Sequence, residues 1–391
     1  MMTATRVGAV FAMLIAWSAF AQPPRQTQAD DYTRYELLAP GSGKFRILYE
    51  VTATTPGATE FFNAIRRGSV ASDERVVDVM TGKPLAFDVV GGTVARGGGV
   101  RNADSTGQYI RVTLARRVPQ GGEARILIDK TYYDTSSYRM RGDTLLFDRP
   151  LGIKRNAIVL PAGYELVSSN FPSQILREAD GRLKVSFWNN TPSEAPVQLR
   201  ARPSVPAGVV QSGLAAELRR RLDERSHQTR EIVYFLQQPE THAFDLYHDY
   251  TETRTGIDRY LNVVRAGSTV SSPRAVLLDT GEELRFDIQR GDSEVVVFHF
   301  PAVKPGESLR LRMFETYTDT ARYKLVGDEL VWDRSFGRPA NAVVLPAGWA
   351  LSNSSIPATV TELPDGRIRL DFINPRPDEI AVLITARRRS R

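Results

Sequence analysis

Hydrophobic and polar positions alternate with a period near two over most of this 391-residue chain. Phe45-Arg46-Ile47-Leu48-Tyr49-Glu50-Val51-Thr52 and Tyr109-Ile110-Arg111-Val112-Thr113-Leu114 are β-branched or aromatic runs of that kind and predict strands. Leu183 to Phe187 and Ile368 to Phe372 repeat the pattern, each just after an Asp-Gly-Arg step. Glycine in such a step accepts the positive φ of a hairpin turn. Glu294 to Phe300 (EVVVFHF) and Asn341 to Leu345 are continuous apolar runs, suited to buried strands. The predicted strands recur at intervals of roughly 8–12 residues between Gly and Pro punctuation, which favours β-sandwiches over βαβ units.

The chain contains the same unit twice. TYYDTSSYRMRGDTLLFDRPLGIKRNAIVLPAGYELVSSNFP from Thr131 matches TYTDTARYKLVGDELVWDRSFGRPANAVVLPAGWALSNSSIP from Thr316 at a constant offset of 185. Carried to Arg202 and Arg387, this alignment holds 31 identities in 72 positions without a gap, enough to establish an internal duplication. The upstream halves align at an offset of 199, pairing Phe45 with Phe244, Asn63 with Asn262 and Gly68-Ser69 with Gly267-Ser268. The two offsets differ because the first copy carries extra residues around Gly91 to Gly107, rich in Gly, Asn, Asp and Ser, which read as a mobile hairpin loop.

Between the repeats, Leu214, Leu218 and Leu222 lie four apart and predict one short helix. Arg219 to Arg221 and Arg225 raise the alternative of a basic helix that binds a membrane or partner. Asp223 and Glu224 interrupt that charge and favour a connector. At the other end of the chain, Arg6, the apolar run Val7 to Trp17 and Ala19-Phe20-Ala21 form the pattern of a cleaved secretory signal. The expected organisation is a signal peptide over 1–21, a flexible tail over 22–33, a first β repeat over 34–204, a linker with a short helix over 205–229 and a second β repeat over 230–391. The fold class is all-β: two tandem β-sandwich-type repeats joined by a short α-helical linker. The protein is expected to be exported, to the periplasm or the extracellular space, with no transmembrane segment after signal cleavage.

Composition narrows the chemistry. Cysteine is absent, which excludes disulfides, thiolate metal sites and cysteine nucleophiles. The 51 basic and 45 acidic residues leave a net charge of +6 spread along the whole length, whereas nucleic acid requires a concentrated basic face. There is no G-x-S-x-G elbow, phosphate-binding glycine loop or EF-hand loop, and no cofactor is expected. Glu/Asp pairs abound, but nothing in the sequence sets a separation that would suit glycoside hydrolysis.

The stretch FDRPLGIKRNAIVLPAGYELVSSNFP at Phe147 to Pro172, followed by Asp180-Gly181-Arg182 and by Phe187 before a Thr-Pro pair, resembles the N-terminal β saddle domain of aminopeptidase N-like zinc metallopeptidases. The second copy carries a weaker version, WDRSFGRPANAVVLPAGWALSNSSIP. Arg149 and Arg334 stand where that family's turn has an acidic residue. The resemblance implies that each repeat is one saddle-type β domain, with the catalytic domain missing. A zinc peptidase of that family needs HExxH, two histidines on one helical face with a glutamate to activate water. The four histidines here are His227, His242, His248 and His299, and none begins such a motif. His242 and His248, six apart without a strong third ligand, read as solvated strand residues, and no metal site is expected.

The most suggestive cluster common to both repeats is Tyr132, Asp134 and Tyr138, matched by Tyr317, Asp319 and Tyr323, with Asp148-Arg149 and Asp333-Arg334 just downstream. These residues are candidates for a polar binding patch present twice. The competing reading, favoured for polar networks in β-sandwiches, is a tyrosine and Asp/Arg brace between sheets. Trp188, Trp332 and Trp349 suggest stacking platforms for sugars. Trp332 aligns with Phe147 and Trp349 with Tyr164, which suits core positions better.

Duplication, the export signal and the lack of a catalytic signature predict a non-catalytic binding or scaffolding protein. Its ligand would be a protein, peptide or glycan of the cell envelope or extracellular space, with two similar sites adding avidity. The alternatives are an accessory subunit of a separate peptidase, or an unrecognised hydrolase acting on peptides or glycans.

Overall fold

The computed structural model describes residues 24–204, 224–228, 231–291 and 294–389. The expected signal peptide and the leucine-striped linker helix fall outside the described residues.

The first repeat comprises β1 (Gln28–Leu37), β2 (Lys44–Ala53), β3 (Glu60–Ala64), β4 (Val70–Asp78), β5 (Phe87–Gly91), β6 (Gln108–Thr113) and β7 (Ala124–Tyr133). It continues with β8 (Tyr138–Arg141), β9 (Thr144–Leu151), β10 (Arg155–Val159), β11 (Tyr164–Ser169), β12 (Gln174–Arg177), β13 (Leu183–Trp188) and β14 (Ala195–Pro203). Seven strands form a large sheet in the order β12-β13-β10-β1-β2-β7-β4. Facing it are a four-stranded sheet, β11-β14-β9-β8, and a three-stranded one, β3-β6-β5.

The second repeat runs through β15 (Glu231–Leu236), β16 (Ala243–Glu252), β17 (Arg259–Val263), β18 (Thr269–Leu277), β19 (Glu282–Leu284), β20 (Phe286–Gln289), β21 (Val295–His299) and β22 (Leu309–Thr318). It ends with β23 (Tyr323–Val326), β24 (Glu329–Phe336), β25 (Ala340–Val344), β26 (Trp349–Ser354), β27 (Thr359–Glu362), β28 (Ile368–Ile373) and β29 (Ile380–Arg388). Its sheets, β19-β18-β22-β16-β15-β25-β28-β27, β23-β24-β29-β26 and β17-β21-β20, repeat the first topology strand for strand, with β19 added at one edge.

Pairing is antiparallel except at the centre of each large sheet, where β1 lies parallel to β10 and β15 to β25. Parallel neighbours need a long crossover, and the intervening strands of the repeat supply it. Both central strands are buried along their whole length, as expected of Asn341 to Leu345. The predicted Asp-Gly turns are present, Gly181 joining β12 to β13 at φ 87° and Gly366 joining β27 to β28 at φ 79°.

The cores follow from the alternation. In β2 the inward side chains Phe45, Ile47, Tyr49 and Val51 are buried, while Arg46 and Glu50 lie on the outer face. Phe45 meets Phe147 edge-on at 5.8 Å, and the equivalent Phe244 meets Trp332 edge-on at 4.7 Å. Trp332 and Trp349 are both buried, and Trp349 Nε1 donates to Gln238 Oε1 at 2.9 Å, so both serve as core aromatics.

Two loop expectations change. Residues 28–33, expected to belong to a flexible tail, open β1: Gln28 pairs with Ala53 and Ala29 with Thr52. Backbone pairing is indifferent to side-chain polarity, and Thr27 N is anchored on Thr55 Oγ1 at 2.7 Å. The glycine-rich insert, expected to be mobile, contains α1 (Gly92–Gly97) and packs Ala95 and Ala103 on Phe62 and Tyr109 of the three-stranded sheet. Small side chains let this backbone approach closely: a Cβ on Gly92 would lie 1.7 Å from the Asp104 carbonyl oxygen.

Candidate functional site

The duplicated Tyr/Asp cluster sits where β7 and β22 end. Asp134 Oδ1 accepts from Ser136 N (3.1 Å), Ser137 N (3.0 Å) and Ser136 Oγ (2.6 Å). Asp134 Oδ2 accepts from Ser137 Oγ (2.7 Å), Ser69 Oγ (3.2 Å) and Arg149 Nη1 (2.9 Å). Burial opposes its ionisation, but the Ser136 and Ser137 hydrogen bonds and the Arg149 charge hold the carboxyl down at about 2. Asp319 repeats the arrangement with Ser268 Oγ at 2.9 Å, Arg334 Nη1 at 3.0 Å and Arg322 Nη1 at 3.1 Å, and its carboxyl is likewise held low against burial.

The tyrosines complete the brace. Tyr138 OH donates to Leu38 O at 2.9 Å, and Tyr323 OH donates to Gln237 O, each tying the turn to the end of the repeat's first strand. Tyr132 OH accepts from Arg66 N at 3.2 Å, and Tyr317 OH from Asn262 Nδ2 at 3.1 Å. Tyr132, Asp134, Tyr138, Tyr317, Asp319 and Tyr323 are therefore brought together in threes, but all six are buried and bonded within their own repeat. Arg149 and Arg334 close each brace from within, whereas the adjacent Asp148 side chain lies outside, 3.7 Å from Arg139.

The histidines do not converge. His242 Nδ1 lies 2.8 Å from Tyr323 O. His248, expected to be a solvated strand residue, is instead buried on the inner face of β16, its Nδ1 2.7 Å from Arg338 Nη2 and its Nε2 3.7 Å from Glu315. Burial and the Arg338 charge depress its basicity, so it is neutral near pH 7 and accepts at Nδ1. Among the described residues no group of three His, Cys, Asp or Glu is disposed to hold a metal.

Where the repeats meet, the contact is reciprocal, as across a twofold axis. Arg125 of β7 holds Asp279 through both carboxylate oxygens at 2.9 and 3.0 Å, and reaches Ser308 Oγ at 3.1 Å. Its counterpart Arg310 lies 3.6 Å from Glu123, the counterpart of Ser308. Backbone bonds cross in both directions, Glu123 N to Leu278 O at 2.8 Å and Ser308 N to Met80 O at 3.0 Å. Glu123 is buried, and burial pushes its carboxyl up to about 7 against the pull of Arg310 and Arg125.

Beside this contact the outer faces of the two large sheets frame a cleft of about 440 Å³. Thr52 and Arg125 line it from the first repeat, and their counterparts Thr251 and Arg310 from the second. Leu127 gives it an apolar side chain from the outer face of β7, Val51 and Ile126 line it from strands whose side chains there turn into the core, and Glu50, Thr253, His227 and Gln228 ring it with polar groups. His227 is set over Tyr32 with ring centroids 4.7 Å apart, and its hydrogen bond to Glu50 raises its basicity. Glu224, on the same segment, bonds Tyr32 OH (2.9 Å), Ser186 Oγ (2.8 Å) and Lys184 Nζ (2.6 Å), fixing the cleft's third wall on the first repeat. Arg225 bonds Gly337 O and Asn374 O of the second repeat, so this wall is tied to both. A largely apolar recess with a few convergent polar groups is the usual form of a small-ligand or peptide site. The sequence reading missed it: the one signal was that Arg125 and Arg310 fall at the repeat offset, and arginine is too frequent in this chain for that to stand out.

No protein-family model matches the sequence, and no curated protein is significantly similar to it. Among solved structures, the M1 zinc metallopeptidase from Deinococcus radiodurans is similar over 40% of this chain and 41% of its own, at 17% identity and a TM-score of 0.28. An aminopeptidase N family protein from Idiomarina loihiensis is similar over 40% of this chain and 29% of its own, at 10% identity and a TM-score of 0.27. The collagen adhesin from S. aureus is similar over 80% of this chain and 88% of its own, at 6% identity and a TM-score of 0.19. The chain thus spans about two-fifths of the length of the Deinococcus enzyme. These are partial likenesses to two metallopeptidase-family structures and an adhesin, and none brings an activity, substrate or partner to this chain. Among the described residues no helix is long and apolar enough to cross a membrane.

Proposed function

We propose that this chain is an exported, non-catalytic binding or scaffolding protein whose ligand, a protein, peptide or glycan of the envelope or extracellular space, lies in the cleft between the repeats. The observation that carries the reading is one recess built jointly by both copies, with buried Thr52, Arg125 and Arg310 in its walls and the more exposed Glu50, Leu127, His227, Thr251 and Thr253 as the groups a ligand would meet. The duplicated Tyr/Asp clusters support it from the other side: their hydrogen-bonding groups are committed inside each repeat, so under this reading they hold the frame while the ligand meets the cleft.

The test is affinity capture by mature protein, Gln22 to Arg391, from envelope and culture-supernatant fractions of its source. Thr253→Trp and Leu127→Trp, which narrow the cleft from two sides, serve as comparators. The reading expects one component retained in near-stoichiometric amount by the wild type and lost by both variants. Equal retention by all three moves the ligand elsewhere, and retention of the bait alone contradicts a tight macromolecular ligand. A captured peptidase that gains activity on addition of this protein would identify the accessory-subunit alternative.

A further inference from the structure

The two three-stranded sheets are built alike but finished differently. In the first repeat the outer face of β3 and β6 is roofed by the insert, and Phe62 and Tyr109 are only 4% and 6% exposed. The edge of β3 is also occupied: Gln26 Nε2 donates to Phe62 O at 3.0 Å, and Phe62 N donates to Gln26 Oε1 at 2.8 Å. The side-chain amide thereby completes the ladder bonds that an edge strand otherwise leaves open.

The second repeat has neither device. It has no insert, and Leu261 and Val263, at the positions of Phe62 and Ala64, are 55% and 62% exposed. At the repeat offset the counterpart of Gln26 is Arg225, whose side chain reaches Gly337 O and Asn374 O instead. Phe300 N bonds Asp258 O and Val264 N bonds Glu294 O, each at 2.9 Å. Antiparallel alternation then directs the N–H and C=O groups of Arg259, Leu261 and Val263 away from β21. Among the described residues no hydrogen bond reaches those outward groups. An open row of backbone donors and acceptors beside exposed apolar side chains is the geometry of strand addition.

We infer that β17 accepts an extended segment of another polypeptide, which pairs with Arg259 to Val263 as a fourth strand. The chemistry of that strand follows from the charges around it. Arg259 is ion-paired with its neighbour Asp258 at 2.8 Å, and Leu261 and Val263, the exposed side chains along the open strip, are uncharged. The complementary strand presents uncharged, apolar or β-branched side chains over Leu261 and Val263. This site lies apart from the cleft, and its failure would leave the cleft reading intact.

The probe is a fluorescein-labelled acetyl-Lys-Thr-Val-Thr-Val-Thr-Lys-amide peptide, followed by anisotropy with the full mature protein. Leu261→Pro removes an outward N–H without breaking a ladder bond, and Val263→Lys places a charge on the strip. Saturable binding weakened at least tenfold by both variants, with unchanged circular dichroism and melting temperature, is the expected result. Absence of saturable binding, or equal binding by the variants, overturns the inference. A concentration-dependent dimer of the wild type that Leu261→Pro abolishes would make the occupant a second copy and overturn a separate partner.

Discussion

Lys130 in the first repeat and Glu315 in the second occupy the same point of β7 and β22, both buried, and each bonds the equivalent asparagine. Lys130 Nζ donates to Asn63 Oδ1 at 2.5 Å, and Asn262 Nδ2 donates to both oxygens of Glu315 at 2.8 Å. The fold therefore tolerates a basic or an acidic side chain at this inward position, with the asparagine supplying an acceptor to one and a donor to the other. Burial pushes the Lys130 amine down to about 7, with the Arg149 charge acting in the same direction.

That depression makes the first repeat pH-sensitive in a defined sense. Below about pH 7 both folded and unfolded chains carry the ammonium, and the cost of burying it is borne in full. As pH rises from about 7 toward 10.5, the folded state has lost a proton that the unfolded state still binds, so stability rises. Lys130→Met is expected to stabilise by a few kcal/mol at pH 6.5, since each tenfold loss of proton affinity on folding corresponds to about 1.4 kcal/mol. Urea unfolding at pH 6.5 and pH 10 should show this advantage shrinking, whereas an advantage independent of pH would contradict a depressed amine.

Removing either aspartate of the braces strands a buried guanidinium. Asp134→Ala leaves Arg149, and Asp319→Ala leaves Arg334, without its carboxylate partner. Each loss is expected to cost about 3–5 kcal/mol in equilibrium unfolding, with ligand capture unchanged while the protein remains folded. Unchanged stability together with lost capture would instead make the cluster a ligand site.

The duplication, the β class, the turns at Gly181 and Gly366 and the core placement of Trp332 and Trp349 were all legible in the sequence, because each depends on local spacing and alternation. The shared Asp134 and Arg149 were legible as a pair. Their depth was not, since a polar residue at the end of a strand reads the same whether it faces water or an opposing sheet. His248 illustrates the same limit: alternation puts it inward, but Arg338 and Glu315, which make burial tolerable, are distant in sequence. The cleft depends on which outer faces meet, and the contacts there, such as Arg125–Asp279 across 154 positions, are ones that no periodicity records.

Arg125→Ala tests that contact. It leaves Asp279, which is fully buried, with the Arg310 backbone N–H at 2.8 Å and a longer 3.6 Å approach from Arg116 in place of the paired bonds. The expected outcome is loss of coupling between the repeats, seen in calorimetry as one unfolding transition resolving into two. A single transition with an unchanged midpoint would show that the ion pair contributes nothing to holding the repeats together.

Gly92→Val probes the insert. Its Cβ would collide with the Asp104 carbonyl oxygen, so the roof over Phe62 and Tyr109 must shift. Hydrogen exchange at Ala95 and Val100 is expected to quicken severalfold while the large sheet keeps its protection. Unaltered exchange would mean that the insert accommodates the side chain without moving.

The most direct test of a ligand between the repeats is hydrogen–deuterium exchange of residues 22–391 with and without the captured component. Slowed exchange is expected at Glu50 to Thr52, Arg125 to Leu127 and Thr251 to Thr253, three backbone stretches that frame the cleft. Protection confined to Arg259–Val263 would place the ligand on the strand edge alone, and protection absent from all three cleft stretches would contradict the central claim.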